Sequence, residues 1–223
     1  MKNKIKTITL GCRLNSYESE IIKSYKNISN SKDIIVVNTC AVTSEAERQA
    51  RQIIRKTKKQ NPKCHIMATG CAVEVNKDMW KNMPEIDAVI PNKNKLKPEL
   101  WTLKPEINNA IAIQEDANHL NKLNSNKEKT KSFIRIQNGC NHSCTFCIIT
   151  LARGNSMSVP SGIIIDEIKK TVNAGIKEII LTGVDLTSYG DDLPGKNNLG
   201  KLVKKILKLV PKLERLRISS LDV

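Results

Sequence analysis

DIIVVNTC, residues 33–40, is the stretch on which the fold turns. An aspartate opens a continuous run of β-branched residues over 34–37, which leads into Asn-Thr-Cys at 38–40. Such side chains are stiff at χ1 and favour extended backbone. An apolar run without polar alternation suits a strand buried on both faces of a parallel sheet. The same plan lies on either side. KIKTITLGC (4–12) alternates like a strand and ends in Gly-Cys, and HIMATGC (65–71) ends the same way. Helical segments separate them. Asn15 and Glu18 have capping-box spacing ahead of Ile21, Ile22 and Tyr25. Ser44 and Glu47 repeat that spacing at the head of a helix carrying Ala46, Ala50, Ile53, Ile54 and Thr57, and Pro62 stops it. IDAVI (86–90) supplies a fourth strand. The alternation predicts an α/β domain over residues 1–104 with a mostly parallel, Rossmann-like sheet.

Residues 105–131 are polar and rich in Asn and Lys, with no sustained period, and read as a linker. A second alternation fills 132–223. SFIRI (132–136) is a strand, and Ile164, Ile165, Ile168 and Val172 mark a helix that Gly175 ends. EIILTG (178–183) is a strand, Leu199, Leu202, Val203, Ile206 and Val210 make a helix stopped by Pro211, and LRISS (216–220) is a last strand. This βαβαβ order predicts the first part of a parallel barrel.

At 223 residues the chain can form one large domain or two modest ones. Its net charge is +15, from 37 Lys and Arg against 22 Asp and Glu. The excess favours a polyanionic partner such as RNA. Of those 37 basic residues 29 are Lys, however, which drift in base composition also produces, so the charge supports an RNA partner without establishing one. No apolar run approaches the ~20 residues of a membrane span, and the N-terminus lacks a signal peptide's apolar core. A soluble, cytoplasmic protein is expected. Seven cysteines in a reducing compartment point to metal ligands or catalysts rather than disulfides.

Three of those cysteines crowd into QNGCNHSCTFC (137–147). Zinc sites usually pair cysteines two apart and close four ligands around the metal. Here the spacing is three, then two, and no second pair follows. Three thiolates from one tight loop suit a cubane iron–sulfur cluster with one iron left open. Cys12, Cys40 and Cys71 each follow one of the first three strands, so a parallel sheet brings them to one edge. They look like a second three-thiolate set. Cys64 sits at the opposite end of its strand and reads as a small buried side chain. His142, inside the loop, reads as a loop residue.

C-x3-C-x2-C with an aromatic before its last cysteine, after the first strand of a β/α repeat, resembles the radical S-adenosylmethionine enzymes. Two such sets in this order resemble the methylthiotransferases of that superfamily. TLGCRLNSYESE (9–20), VVNTCAVTSEAERQAR (36–51), TGCAVE (69–74), QNGCNHSCTFCII (137–149), LTGVDLTSYG (181–190) and RLRISSLD (215–222) look most like the branch acting on N6-threonylcarbamoyladenosine in tRNA. Sister branches act on isopentenyladenosine in tRNA or on an aspartate of a ribosomal protein.

The resemblance implies two [4Fe-4S] clusters and S-adenosylmethionine as cofactors. The cluster on Cys140, Cys144 and Cys147 would cleave S-adenosylmethionine to a 5′-deoxyadenosyl radical, which takes the hydrogen from C2 of the modified adenine beside the anticodon. The cluster on Cys12, Cys40 and Cys71 would carry the methylated sulfur. Phe146, Gly183 and Asp185 are candidate cofactor contacts, Phe146 near the adenine. Equally, Phe146 could pack within its loop, Gly183 could serve a turn and Asp185 could cap a helix. Arg48, Arg51 and Arg55 could meet phosphate, although a solvated basic face explains them better. The implied partners are tRNA and an electron donor of flavodoxin or ferredoxin type, with no membrane. The family segment CIIP-x-ARG-x-SRS-x-P reads CIITLARGNSMSVP (147–160) here, with Thr150 for the proline and Met157 for an arginine. Those changes are expected to loosen the loop and remove an anion contact. The chain is also expected to lack the rest of the barrel and a C-terminal RNA-binding β domain. It then works with a separately encoded C-terminal half, or is a non-catalytic fragment.

Overall fold

The computed structural model describes residues 5–25, 33–101, 130–195 and 197–221. The linker expected at 105–131 falls almost wholly outside them. Two compact units are present: one holds the residues up to 101 together with Cys144–Arg153, the other holds 130–143 and the residues from Gly154 onward.

In the first unit, β1 (Ile5–Thr9), β2 (Ile34–Thr39), β3 (His65–Gly70) and β4 (Ala88–Val89) form one sheet in that order, every pairing parallel. Every residue of β2 is buried, as a two-face-covered strand requires. Helices connect these strands in sequence: α1 (Arg13–Ser24), then α2 (Ser44–Gln60), then α3 (Cys71–Val75) followed by α4 (Lys77–Lys81). Ala50, Ile54 and Thr57 form the buried stripe of α2. Ala50 and Ile54 meet Val37, Ile66, Ala68, Ala72, Val73 and Trp80 in the core. Trp80 is fully buried and donates its indole N–H to the Ala72 carbonyl at 3.0 Å, so its one polar atom is satisfied.

Both capping expectations shift. Cys12 is the N-cap of α1 and makes no side-chain cap bond, while Asn15 and Glu18 lie inside the helix and fully buried. At α2 the cap is Thr43, whose hydroxyl accepts from the Ala46 amide at 3.1 Å.

The second unit contains β5 (Lys131–Arg135), α6 (Ser161–Asn173), β8 (Glu178–Thr182), α7 (Leu199–Leu209) and β9 (Arg215–Ile218). Strands β5, β8 and β9 pair in parallel in that order, the β/α alternation with which a barrel starts. A short antiparallel pair, β6 (Gln137–Asn138) with β7 (Met157–Ser158), follows β5. Ile164, Ile165 and Ile168 of α6, and Leu202 and Ile206 of α7, are buried as their spacing predicts.

No described helix is long and apolar enough to cross a membrane.

Candidate functional site

The order β1-β2-β3 without reversal sets three consecutive strand ends side by side, and each delivers one thiol. Cys12 is exposed, whereas Cys40 and Cys71 are buried, and all are free. Gly11 has φ +89°, and a methyl group there would stand 2.6 Å from Cys40 Sγ, so only glycine lets Cys40 lie against the backbone beside Cys12. Asn92, in a short 3-10 turn (Asn92–Asn94), points its amide at Cys71 Sγ across 3.9 Å. Its stronger bond, at 2.6 Å, goes to the carbonyl of Ala152.

Beneath the thiols lies a charge cluster that the sequence reading missed. Glu18 binds Lys95 and Arg153, with Arg153 Nη1 at 3.0 Å, and all three side chains are at most 2 % exposed. Arg153 closes α5 (Ile149–Arg153), the short helix that starts two residues after Cys147. Burial pushes the Glu18 carboxyl up, but Arg153 and Lys95 more than offset that and hold it at about 2. Burial raises the Cys71 thiol, although Arg153 and Lys95 favour its thiolate.

Asn15 carries this cluster to the strand ends. It accepts from Arg153 Nη2 at 2.7 Å and donates to the carbonyls of Leu10 at 2.7 Å and Thr39 at 2.9 Å. Those carbonyls lie just ahead of Gly11 and Cys40. A legible signal existed: Glu18, Ile21, Ile22 and Tyr25 stand at i, i+3, i+4 and i+7, which places a carboxylate on the helix's apolar stripe.

Within the Cys144–Arg153 segment, Cys144 and Cys147 are exposed, and the Cys147 amide donates to the Cys144 carbonyl at 3.1 Å. Phe146 is 91 % exposed, so loop packing does not account for it. Thr150 lies in the first turn of α5, where a proline would lose no helical hydrogen bond, and the turn closes without one.

In the second unit, the Cys140 amide donates to the Gly154 carbonyl at 3.1 Å, and Cys140 Sγ accepts from the His142 amide at 3.4 Å. Asp185 is buried. Its carboxylate accepts from the hydroxyls of Thr187 at 2.6 Å and Ser188 at 2.7 Å, and lies 3.1 Å from His142 Nε2. Burial raises the Asp185 carboxyl, and these partners bring it below the usual range.

Cys140, His142 and Asp185 thus place one ligand-type atom each within 4.8 Å of the others. Gln137 holds the frame: its Oε1 accepts from the amides of Val184 and Asp185 at 2.8 and 2.9 Å, and its Nε2 donates to the Gly139 carbonyl at 2.7 Å. Gly183 leaves room for this contact, since a methyl group there would stand 2.9 Å from Gln137 Oε1. The structure thereby brings Cys140 and Asp185 together, with Gln137 and His142 as partners the sequence reading did not assign.

The basic face of α2 is largely self-neutralised. Arg48 pairs with Glu45 at 2.7 Å, Arg51 lies 3.8 Å from Glu47 and Arg55 lies 3.7 Å from Glu85. Cys64 is half-buried rather than buried.

Thiol-only donor sets suit iron–sulfur clusters. The residues fit such a group: the strand-end thiols are free and stand over buried cations, and Cys140 Sγ receives an amide hydrogen bond.

Two family models and several curated relatives match the chain. Residues 4–91 match the uncharacterized protein family UPF0004, and residues 134–221 match the radical SAM superfamily. The chain is 46 % identical, over its whole length, to the threonylcarbamoyladenosine tRNA methylthiotransferase MtaB of Rickettsia prowazekii, and covers 54 % of that protein. It is 32 % identical to the Bacillus subtilis protein of the same name, with 96 % of this chain and 50 % of that protein covered. The ribosomal protein uS12 methylthiotransferase RimO of Clostridium botulinum is 35 % identical, with 93 % of this chain and 50 % of that protein covered. The chain spans about half the length of the curated relatives it matches.

Proposed function

We propose that this chain, which belongs to the radical S-adenosylmethionine methylthiotransferases, carries the two cluster sites of an enzyme that adds a methylthio group to C2 of N6-threonylcarbamoyladenosine beside the tRNA anticodon. The carrying observation is the 46 % identity, across the entire chain, to a protein named for that nucleoside. Two sets of three cysteines support this reading, one following the first three strands and one at C-x3-C-x2-C spacing. Cys140, Cys144 and Cys147 would hold the cluster that, when bound, supplies an electron and an open iron for S-adenosylmethionine, and Cys12, Cys40 and Cys71 would hold the one that supplies sulfur.

The remaining residues position these ligands. Gln137 ties the start of the cysteine loop to the Gly183–Asp185 turn. Asp185 is kept ionised by its hydroxyl and imidazole neighbours and presents a fixed acceptor at the end of β8. Phe146 offers an open aromatic face for the adenine of the cofactor. The excess of positive charge favours the tRNA backbone. A flavodoxin- or ferredoxin-type donor supplies electrons in the cytoplasm.

Nucleoside mass spectrometry of tRNA from a deletion strain tests this reading. Loss of the methylthio group from the threonylcarbamoyl nucleoside is expected. Loss from the isopentenyl nucleoside, or from ribosomal protein uS12 with tRNA intact, would refute the substrate.

A further inference from the structure

The charge cluster of Glu18, Lys95 and Arg153 asks for a reason beyond stability. A buried ion pair or triad seldom stabilises a fold more than well-packed apolar residues of the same volume would. This one is also wired to each strand end that bears a thiol. Through Asn15, Arg153 reaches the carbonyls of Leu10 and Thr39, next to Gly11 and Cys40. Lys95 Nζ lies 3.5 Å from Oδ1 of Asn38, two residues before Cys40. Asn92 joins Cys71 Sγ to the Ala152 carbonyl, one residue before Arg153. The indole N–H of Trp101 fixes the Lys95 carbonyl at 2.8 Å. The cations are therefore held, not merely near. Two cations against one carboxylate leave one net positive charge below the thiols.

We infer that Glu18, Lys95 and Arg153 are positioning residues whose net positive charge sets the reduction potential of the cluster bound by Cys12, Cys40 and Cys71. The inference rests on that cluster assignment, proposed above. Net charge and hydrogen bonding around the thiolates are the levers by which a protein tunes such a cluster. Reduction adds one electron, breaks no bond and moves no proton, so a fixed neighbouring cation favours the reduced form.

The full chain with Cys140, Cys144 and Cys147 replaced by Ala isolates this one cluster. It is reconstituted anaerobically with iron and sulfide and titrated with dithionite under EPR. Lys95→Met, which leaves the Glu18–Arg153 pair intact, is expected to shift the reduction equilibrium against the reduced form by at least tenfold, about 59 mV for one electron. Adding Glu18→Gln to Lys95→Met removes one anion as well as one cation, and is expected to return the potential toward the parent. A packing role would do the reverse, since the second change would add to the damage. An unmoved potential in Lys95→Met, or a further fall in the double variant, overturns the inference. Should Lys95→Met not fold, Glu18→Gln alone decides: the potential must rise, and a fall or no change refutes the charge role. Absence of iron from the parent variant would instead refute the cluster assignment, a separate result.

Discussion

Cys12, Cys40 and Cys71 lie far apart in sequence and come to one sheet edge because three parallel strands end side by side, whereas Cys140, Cys144 and Cys147 are close neighbours in the chain. The first set stands on buried side chains: Asn15, Glu18, Lys95 and Arg153. The second has two exposed members, and Gln137 clips the backbone just ahead of Cys140. One set follows from the strand order of a sheet, and the other from close spacing along the chain. The first should fail with the fold, and the second should fail without it.

The most drastic way to break this contrast is to remove each set in turn. Anaerobic reconstitution is expected to load about eight irons, from two four-iron clusters. Replacing Cys140, Cys144 and Cys147 by Ala should remove about half of them and leave the thermal midpoint of the apo-chain nearly unmoved. Replacing Cys12, Cys40 and Cys71 should remove the other half. Should either set of substitutions abolish all bound iron, the two sites are one cooperative unit and the contrast fails.

The next largest effect concerns the charges under the strand ends. Removing one partner of a buried ion pair leaves an uncompensated charge and costs about 3–5 kcal/mol. Arg153→Met is therefore expected to lower the urea midpoint by that measure at an unchanged m-value. Acid should do the same progressively. The Glu18 carboxyl falls from 4.5 to about 2 on folding. A depressed carboxyl stabilises fully above its unfolded value, so this contribution is complete above pH 4.5 and disappears as pH falls toward 2. Glu18→Gln should erase that part of the acid-unfolding curve. If Glu18→Gln denatures at the same pH midpoint with the same steepness, the buried carboxylate is not what acid attacks.

The two sites also differed in how far sequence could reach them. Continuous runs such as IIVV made the parallel strands plain, and a cysteine after each of three strands placed the first thiol set at one edge. The loop set needed only spacing. Lys95 and Arg153 were invisible because nothing in sequence brings either of them to Glu18: the first sits in a polar-looking NKNK run (92–95), and the second closes a helix in the other motif. Glu18 itself fitted a capping box with Asn15, and this local pattern hid its place on the apolar stripe. Helix α1 in fact begins at Arg13 with no side-chain cap. Tertiary burial overrode the short-range signal. Gln137 was lost for a related reason, since a polar residue at a strand end carries no sign of the turn, 47 residues later, that it will clamp.

That clamp provides a gentler test. Gln137→Ala would orphan the amides of Val184 and Asp185 and the carbonyl of Gly139. Unsatisfied buried polar groups cost about 1–3 kcal/mol, partly recovered here if water enters. The loss should be confined to this turn, so hydrogen exchange at the Val184 and Asp185 amides is expected to accelerate while β2 amides keep their protection. Equal acceleration in both would mean that the loop frame and the strand sheet open together.

The smallest effect expected is at His142. Its imidazole lies 3.1 Å from Asp185 but is 59 % exposed, and such pairs contribute roughly 0–1 kcal/mol once solvent screening is counted. Thr187 and Ser188 also hold Asp185, so the carboxylate keeps its hydroxyl partners when the imidazole is removed. His142→Ala should therefore cost no more than about 1 kcal/mol at neutral pH by urea titration. Because the Asp185 carboxyl is depressed on folding, its contribution is present above its ordinary value of 3.8 and fades as pH falls below it. The gap between His142→Ala and the parent should close in that same acid range. A cost of several kcal/mol would mean that this exposed pair anchors the cysteine loop as firmly as Glu18 anchors the strand ends.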